Sequence, residues 1–339
     1  MSFKTRLSPL VHPRFLLRGF LYGGVVLLCV IGFWVLRPLP LASDSVDSRI
    51  LPGMSLGAAI QRLNQDGVPV DPLLTKFWMR VVSGGRPIQA GTYTVFRGEN
   101  LLDLLDKLKT GQVSRLELRF PEGWSLSQWL NYLSQQTTIK HTLEGRSEPE
   151  IAEILGIPER QLEGLFFPST YRVDKGSSDV ELLAQAYRVR EARLNEHWAA
   201  RAPDLPYRTP YEALVMASII EKETGHPEDR ERIAAVFVNR LRIGMRLQTD
   251  PSVIYGLGKA FDGNLRKADL NTDTPYNTYT RSGLPPTPIA MPGLASLNAA
   301  LHPAKDDVLY FVARGDGRSV FSKTLDEHNE AVRRYQLKH

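Results

Sequence analysis

Two glutamates flank a lysine at the end of an apolar run, in the stretch ASIIEKETG that ends at Gly225. Thr209 and Pro210 are typical of a helix start and Gly225 of a helix end, so the sequence predicts one helix across the run. A carboxyl group on this helix would lose hydration and would lie near the negative end of the helix dipole and near a second acid. These effects raise a carboxyl pKa, as a general acid acting on a sugar oxygen requires.

A helical wheel distinguishes the two acids. Glu221 has two small residues, Ala217 and Ser218, one turn back on its face, which leaves room for a ligand, whereas Glu223 has bulkier apolar neighbours. We therefore predict Glu221 as the catalytic acid, with Glu223 in a supporting role beside Lys222. The alternative is that both acids reach the surface at a frayed helix end and form ordinary ion pairs.

The segments around and after this helix carry a resemblance to a known family. Residues 226–258 and 271–303 are dense in Asn, Gln, Asp, Tyr and Pro, which is typical of a sugar-binding cleft. The segments ASIIEKETG, VFVNRLRIGMRLQTDPSVIYG, YNTYTRSGLPPTPIAMPG and HPAKDDVLYFVARGDG resemble, in the same order, the signature segments of the YceG-like family. The resemblance is collinear from the N-terminal apolar run to the C-terminus.

The resemblance implies a lyase-type enzyme, an endolytic lytic transglycosylase. Such an enzyme cleaves the β-1,4 bond between N-acetylmuramic acid and N-acetylglucosamine inside peptidoglycan strands and leaves 1,6-anhydro ends. The family's catalytic glutamate corresponds to Glu221 here, and this carboxyl would act first as acid and then as base. The attacking group is the muramic C6 hydroxyl, so a second catalytic carboxylate is not required.

The predicted substrate-binding residues are polar or aromatic positions of the same segments: Ser218, Glu223, Gln248, Asp250, Tyr276, Asn277 and Tyr279. Structural roles are the alternative for two of them, because Asp250 before Pro251 could cap a helix and Asn277 could hold a turn. The expected partners are peptidoglycan glycan strands and peptidoglycan synthases, beside which the enzyme would set strand length.

Two other functions remain open at this point. One is a non-catalytic, membrane-anchored scaffold that binds glycan, and the other is a hydrolytic muramidase that uses water and two carboxylates. We expect no cofactor and no metal, since the sequence contains no H-E-x-x-H motif and only one cysteine, Cys29. The net charge of +5 is spread along the chain, which argues against nucleic-acid binding.

The N-terminal region predicts a membrane anchor. Residues 1–19 form a basic arm, residues 20–36 carry no charge and approach the length of a transmembrane helix, and residues 37–50 read as a tether. The positive-inside rule then places the arm in the cytoplasm and the bulk of the chain in the periplasm, at the cell inner membrane. The first alternative is a cleaved signal peptide, although the cleavage site at Ala42 is poor. The second is a buried core helix, which fits badly with an apolar run at the terminus.

A weak internal repeat follows the tether. GMSLGAAIQRL, GENLLDLLDKL and GWSLSQWLNYL share a glycine turn, a Ser or Asn cap and an amphipathic helix, so each predicts a strand–turn–helix unit. The first copy also matches the G-x-S-x-G pattern of serine hydrolases. The other copies lose the second glycine and one loses the serine, which favours a cap at Ser55 over a nucleophile.

The predicted fold class is α+β. We expect a LysM-like membrane-proximal domain over residues 51–118, and the alternative is a plain spacer domain. A larger mixed α/β catalytic domain should follow over residues 119–339. Residues 119–165 of this domain could form a bridging subdomain. At the C-terminus, two apolar runs around Gly315 and Gly317 predict a hairpin, followed by a helix capped near Thr324. We interpret this end as scaffold.

Overall fold

The computed structural model describes residues 13–83, 88–223 and 225–336. The chain divides into two compact units. Unit 1 contains the residues up to Arg115 and Asp174–Gly176, and unit 2 contains Leu116–Val173 and the residues from Ser177 onward. Among the described residues the strands form three two-stranded sheets between many helices, so the predicted α+β class is confirmed at this level.

The elements of unit 1 are, in chain order, α1 (Pro13–Leu36), β1 (Ser45–Ile50), α2 (Leu56–Gln65), α3 (Pro72–Ser83), β2 (Gly91–Phe96) and α4 (Leu101–Thr110). Strands β1 and β2 pair antiparallel, with Val46 opposite Val95 and Ser48 opposite Tyr93. The core of this unit forms from the apolar faces of α2 and α4 against β2, including the fully buried Leu104.

The first helix of unit 1 contains the apolar run that predicts a membrane anchor. Within the part of the chain that the structure describes, no helix is both long enough and apolar enough to cross a bilayer. The membrane anchor at residues 20–36 stays a prediction from the sequence. Residues 1–12 of the predicted basic arm lie outside the described residues.

The elements of unit 2 are β3 (Arg115–Arg119), α5 (Leu126–Ser134), α6 (Glu148–Leu155), β4 (Thr170–Asp174), α7 (Asp179–Ala199), α8 (Pro210–Glu223), α9 (Arg230–Arg242), α10 (Asp250–Leu257), α11 (Lys267–Asn271), α12 (Leu294–Leu301), β5 (Tyr310–Ala313), β6 (Ser319–Ser322) and α13 (Leu325–Tyr335). Helix α8 contacts α7, α9, α10 and α12. It is therefore central to the unit, and Ala213–Ile220 are all buried.

The three repeat units fold as the sequence predicts. Each consists of a strand, a glycine turn and a helix whose first turn is capped by the predicted side chain. Ser55 Oγ accepts from the backbone N–H of Ala58, Asn100 Oδ1 accepts from Leu102 and Asp103, and Ser125 Oγ accepts from Gln128. The cap interpretation of Ser55 is confirmed, because its hydroxyl satisfies a backbone donor at a helix N-terminus.

The C-terminal hairpin and helix are also confirmed. β5 and β6 pair antiparallel, with Phe311 opposite Phe321. Thr324 caps α13 in a capping box with Glu327. Helix α13 packs against both strands, and β5 also contacts α9.

Candidate active site

The two glutamates at the end of α8 lie in different surroundings. Helix α8 starts where the sequence predicts, since Thr209 Oγ1 accepts from the backbone N–H of Glu212. Its last residue within the described chain is Glu223. Residues two positions apart on a helix point about 200° apart, so Glu221 and Glu223 face different neighbours.

Glu221 contacts the turn that precedes α5 and the turn that precedes α12. Its Oε2 accepts a hydrogen bond of 3.0 Å from the backbone N–H of Gly293. The carboxylate of Glu122 lies against the same glycine. Burial and the neighbouring charge of Glu221 raise the pKa of Glu122, while Arg230 opposes the shift. These contacts connect α8 to two backbone turns, and they leave Glu221 outside the cavity described next.

Glu223 faces a cavity of about 500 Å³. Known small-molecule sites span roughly 300–1,000 Å³, so this cavity has the size of a ligand site. Its polar lining includes Glu223, Arg240, Gln248, Asp250, Tyr279 and His328, and β5, α13 and Gln336 supply further walls. Four of the residues that the sequence predicts for the substrate site therefore line one cavity: Glu223, Gln248, Asp250 and Tyr279.

The Glu223 carboxyl is partly exposed, and its environment favours the protonated form. Burial raises the pKa of Glu223 to about 7, and the charge of Asp250 acts in the same direction. A hydrogen bond donated by Thr249 Oγ1 and the charge of Arg240 oppose the shift. A carboxyl with this pKa holds its proton in a large fraction of molecules at neutral pH, so it can donate a hydrogen bond to a ligand in the cavity.

The segment that carries Gln248 and Asp250 is held by the loop that precedes α12. Thr249 N–H donates to Thr278 Oγ1 at 3.0 Å, and Gln248 N–H donates to the Thr278 carbonyl at 3.2 Å. Gln248 has a φ of +50°, a left-handed conformation that is uncommon outside glycine. Such conformations cost free energy and cluster at functional sites, where the surrounding structure maintains them.

Asp250 and Tyr279 form a pair on the cavity wall. The Tyr279 hydroxyl donates to Asp250 Oδ1 at 2.6 Å. Burial, Asp250 and Glu223 all raise the pKa of the Tyr279 phenol, so the phenol keeps its proton and remains a hydrogen-bond donor. Asp250 is the first residue of α10, directly before Pro251, and the N-cap position belongs to Thr249, so the capping alternative for Asp250 is wrong.

Two of the predicted site residues, Ser218 and Asn277, bond backbone groups and do not line the cavity at Glu223. Ser218 is fully buried, and its hydroxyl donates to the Val215 carbonyl and accepts from the Ile289 N–H, which connects α8 to a loop. Asn277 is also fully buried, and its amide donates to the carbonyls of Leu270 and Thr272. The turn-holding alternative for Asn277 is therefore the one that its contacts support, and neither side chain lines the cavity at Glu223.

Tyr276 lines a different cavity, of about 410 Å³, together with Glu163 and Tyr255. Its hydroxyl lies 2.9 Å from Thr287 Oγ1, and its ring meets that of Tyr255 edge-on at 4.8 Å. The sequence analysis missed Glu163, which is only 5% exposed. Both of its carboxylate oxygens lie 3.0–3.1 Å from the backbone N–H of Leu126, at the start of α5.

The surroundings of Glu163 predict how the stability of the fold depends on pH. Burial raises its pKa from 4.5 to about 7, although the Leu126 and Tyr255 hydrogen bonds favour the charged form. Between pH 4.5 and 7 the folded chain binds more protons than the unfolded chain, so the free energy of unfolding falls as the pH rises. Above pH 7 the contribution of Glu163 to the free energy of unfolding is about 3 kcal/mol lower than it is below pH 4.5.

Glu163→Gln removes this titration and keeps a carbonyl oxygen that can accept from Leu126. We expect its free energy of unfolding to depend less steeply on pH between 4.5 and 7 than that of the unsubstituted chain. Guanidinium unfolding at a series of pH values measures both slopes. Equal slopes would contradict the assignment of a raised pKa to Glu163.

Three residues of the Glu223 cavity were also missed by the sequence analysis: Arg240, Tyr310 and His328. Arg240 is only 7% exposed, and it donates to the carbonyls of Leu309 and Leu247 at 2.7 and 2.6 Å. The ring of His328 stacks on Tyr310, with centroids 5.2 Å apart. The C-terminal hairpin and helix were interpreted as scaffold, and the structure corrects this, because they supply one side of the cavity.

The donor chemistry of the described residues offers no metal centre. No group of three or more His, Cys, Asp or Glu side chains in the described ranges is arranged to hold a metal ion.

Comparison with known proteins identifies the family. The model of the YceG-like family matches residues 49–334. The chain belongs to the YceG-like family. A relative from Bacillus subtilis (strain 168), named endolytic murein transglycosylase, is 33% identical over 316 residues, which cover 87% of each chain. A solved structure of a yceG-like protein from Listeria monocytogenes aligns with a TM-score of 0.53 at 30% identity, covering 85% of this chain and 98% of that one.

A second relative is longer than this chain. The protein from Streptococcus pneumoniae serotype 2, also named endolytic murein transglycosylase, is 29% identical over 280 residues. The alignment covers 72% of this chain and 50% of the relative. The family resemblance inferred from the signature segments is thus confirmed.

Proposed function

We propose that this chain is a lytic transglycosylase that cleaves the glycan strands of peptidoglycan. Two relatives carry the name endolytic murein transglycosylase, and one of them matches 87% of its own length. The observation that carries the proposal is the pair of carboxyls at the end of α8, with Glu221 at the Gly293 turn and Glu223 at the wall of a ligand-sized cavity. Glycoside cleavage needs such a proton donor at the leaving oxygen.

We assign the general acid to Glu221, which the wheel and the family resemblance indicate. The backbone N–H of Gly293 fixes one oxygen of its carboxylate, and the carboxylate of Glu122 lies against the same glycine. Glu223 lines the cavity together with Gln248, Asp250 and Tyr279, and we assign it to substrate binding.

The proton of Glu221 goes to the glycosidic oxygen as the bond from that oxygen to the anomeric carbon breaks. The leaving sugar then departs as an alcohol, and Glu221 remains as a carboxylate that stabilises positive charge at the anomeric carbon. The backbone N–H of Gly293 donates a hydrogen bond to this carboxylate, so it is not left unpaired after proton transfer. The attacking hydroxyl forms the new bond to the anomeric carbon, and its proton passes to the Glu221 carboxylate.

The remaining polar groups of the cavity suit a sugar. Tyr279 presents a phenol held by Asp250, and Gln248 presents an amide on a conformationally fixed backbone. Amide, carboxylate and phenol groups fix hydroxyls and acetamido groups, while the ring of Tyr310 offers an apolar face. We assign Gln248, Asp250 and Tyr279 to substrate binding.

The attacking hydroxyl is the C6 hydroxyl of the muramic acid unit, so the product carries a 1,6-anhydro end. The test is incubation of the purified full-length chain with uncrosslinked glycan strands, followed by mass spectrometry of the fragments. Anhydro ends are lighter by one water than reducing ends, and we expect the anhydro mass. Fragments with reducing ends would show that the enzyme is a hydrolase. Intact strands would show that the chain binds glycan without cleaving it.

The location and the other partners stay proposals that rest on sequence alone. The basic arm and the apolar run place the chain at the inner membrane with residues beyond 37 in the periplasm, beside peptidoglycan synthases. A glycan-binding, LysM-like role for unit 1 is a proposal of the same kind. Alkaline extraction of membranes and protease accessibility of intact spheroplasts test the location.

A further inference from the structure

Glu122 is a second carboxyl beside Glu221, and no role has been given to it above. It lies in the turn between β3 and α5, and its side chain is exposed. Its carboxyl lies so close to Gly293 that a Cβ atom added to this glycine would collide with it. Glu221 Oε2 accepts from the N–H of the same glycine at 3.0 Å. Two carboxyls from distant parts of the chain therefore meet at one residue.

The backbone that carries Glu122 is fixed relative to Glu221. The Gly123 N–H donates to the Met291 carbonyl at 2.8 Å, and the Met291 N–H donates to the Trp124 carbonyl at 2.8 Å. A Cβ atom at Gly123 would lie 3.6 Å from Glu221 Cγ, so the turn also packs directly on the glutamate side chain. The turn before α5, the turn before α12 and the end of α8 thus form one hydrogen-bonded junction, which holds the two carboxyls near each other.

Building on the proposed function, we propose that Glu122 is a positioning residue whose negative charge opposes ionisation of Glu221, so that Glu221 begins the reaction with its proton. Two neighbouring carboxylates repel each other, so ionisation of one disfavours ionisation of the other. Glu221 alone gives its proton to the leaving oxygen and later takes the proton of the attacking hydroxyl. Glu122 takes part in no bond change, and the pair carries the same number of protons before and after the cycle.

The charged groups around the junction leave this repulsion only partly offset. Burial raises the pKa of Glu122 above its ordinary value, the charge of Glu221 raises it further, and the charge of Arg230 from α9 acts in the opposite direction. Lys222 from α8 donates through Nζ to a backbone carbonyl of the same turn at 3.3 Å. The turn before α12, Met291–Gly293, contributes no charged side chain. Because the pKa of Glu122 stays raised despite the cations, the two carboxyls are coupled.

The first measurement tests the coupling without substrate. Carbon-13 NMR of the full-length chain, labelled at the glutamate side-chain carboxyls, follows the titration of Glu122, whose signal is the one missing from Glu122→Gln. In Glu221→Gln the titration midpoint of Glu122 should fall by about 0.5 pH unit or more, because a neighbouring negative charge has been removed. An unchanged midpoint would overturn the inference.

The second measurement is the rate of glycan cleavage against pH for the full-length chain and for Glu122→Gln. The rate should fall with rising pH as Glu221 loses its proton. In Glu122→Gln this falling limb should lie about 0.5–1 pH unit lower, which makes the rate above the limb about 3- to 10-fold lower. The two rates should approach each other at low pH, where both chains hold the proton. Glu122→Asp keeps the charge and should move the limb back towards its original position.

The matched control is Glu117→Gln, the same substitution five residues earlier in the chain. Glu117 is exposed and accepts from Arg172 Nε at 2.7 Å, so its loss should leave the falling limb in place. If Glu122→Gln lowers the rate equally at every pH, its role is structural, and a limb that stays or moves to higher pH contradicts the coupling. Either result would overturn the inference. Failure of the unsubstituted chain to cleave would instead overturn the proposed function, and the NMR midpoint would then decide the coupling.

Discussion

Replacing Glu221 by Gln should lower the rate of glycan cleavage by about 100- to 10,000-fold, the range typical of a general acid. Glutamine has the same shape and can still accept from the Gly293 N–H, but it has no proton to donate to the leaving oxygen. Thermal unfolding should show a folded variant. The measurement is the initial rate of fragment release from uncrosslinked strands, followed by mass spectrometry.

The matched control is Glu223→Gln, the same substitution two residues away on the same helix. Its amide oxygen can still accept from the Thr249 hydroxyl, so the cavity wall is kept and a larger part of the activity should remain. The reverse result, with Glu223→Gln inactive and Glu221→Gln active, would move the catalytic role to Glu223. Loss of activity in both folded variants would mean that the two carboxyls act together.

Replacing Gly164 by Ala should destabilise unit 2 by about 2–5 kcal/mol. Gly164 has a φ of +79°, and a non-glycine residue in this conformation costs about 1–2 kcal/mol. A Cβ atom would also lie 2.3 Å from Pro288 Cβ and 3.3 Å from the Ala290 carbonyl oxygen. Overpacking of this kind costs about 1–3 kcal/mol, because neither the proline ring nor the backbone can move away freely.

Gly145→Ala isolates the steric part of this cost. Gly145 has nearly the same φ, +73°, but no atom lies within 4 Å of the position of its Cβ. Its substitution should therefore cost only the backbone part, about 1–2 kcal/mol. Guanidinium unfolding followed by tryptophan fluorescence reports on unit 2 through the buried Trp129. Equal losses in the two variants would contradict the predicted collision with Pro288.

Local features of the fold could be predicted well from the sequence. The caps at Ser55, Asn100 and Ser125 depend on residues within one helical turn, and so does the cap at Thr324. The hairpin of β5 and β6 depends on a glycine turn between two short apolar runs. The burial of α8 follows from its composition alone, since apolar residues cover all its faces.

The site could be predicted only in part, because its geometry depends on contacts between distant segments. Gln248, Asp250 and Tyr279 were predicted and share one cavity. The wheel compared Glu221 and Glu223 by their neighbours on α8, whereas the cavity at Glu223 is formed by α10, β5 and α13. No pattern near His328 marks it, since its place in the site depends on how the C-terminal helix packs.

Tyr276 and Asn277 show why a motif does not translate residue by residue into a site. Both belong to the segment YNTYT, which the sequence analysis assigned to the cleft as a whole. The loop turns between them and Tyr279, so Tyr279 lines the Glu223 cavity, Tyr276 lines another, and Asn277 bonds the backbone in between. Such a division depends on backbone direction, which composition does not encode.

The last wall of the Glu223 cavity comes from α13, the final helix of the described chain. A ribosome synthesises a chain from its N-terminus, so α8 with its glutamates is present about a hundred residues before this wall exists. An emerging chain therefore carries the acid without the enclosed cavity around it. The cavity is therefore complete only when almost the whole described chain has been synthesised.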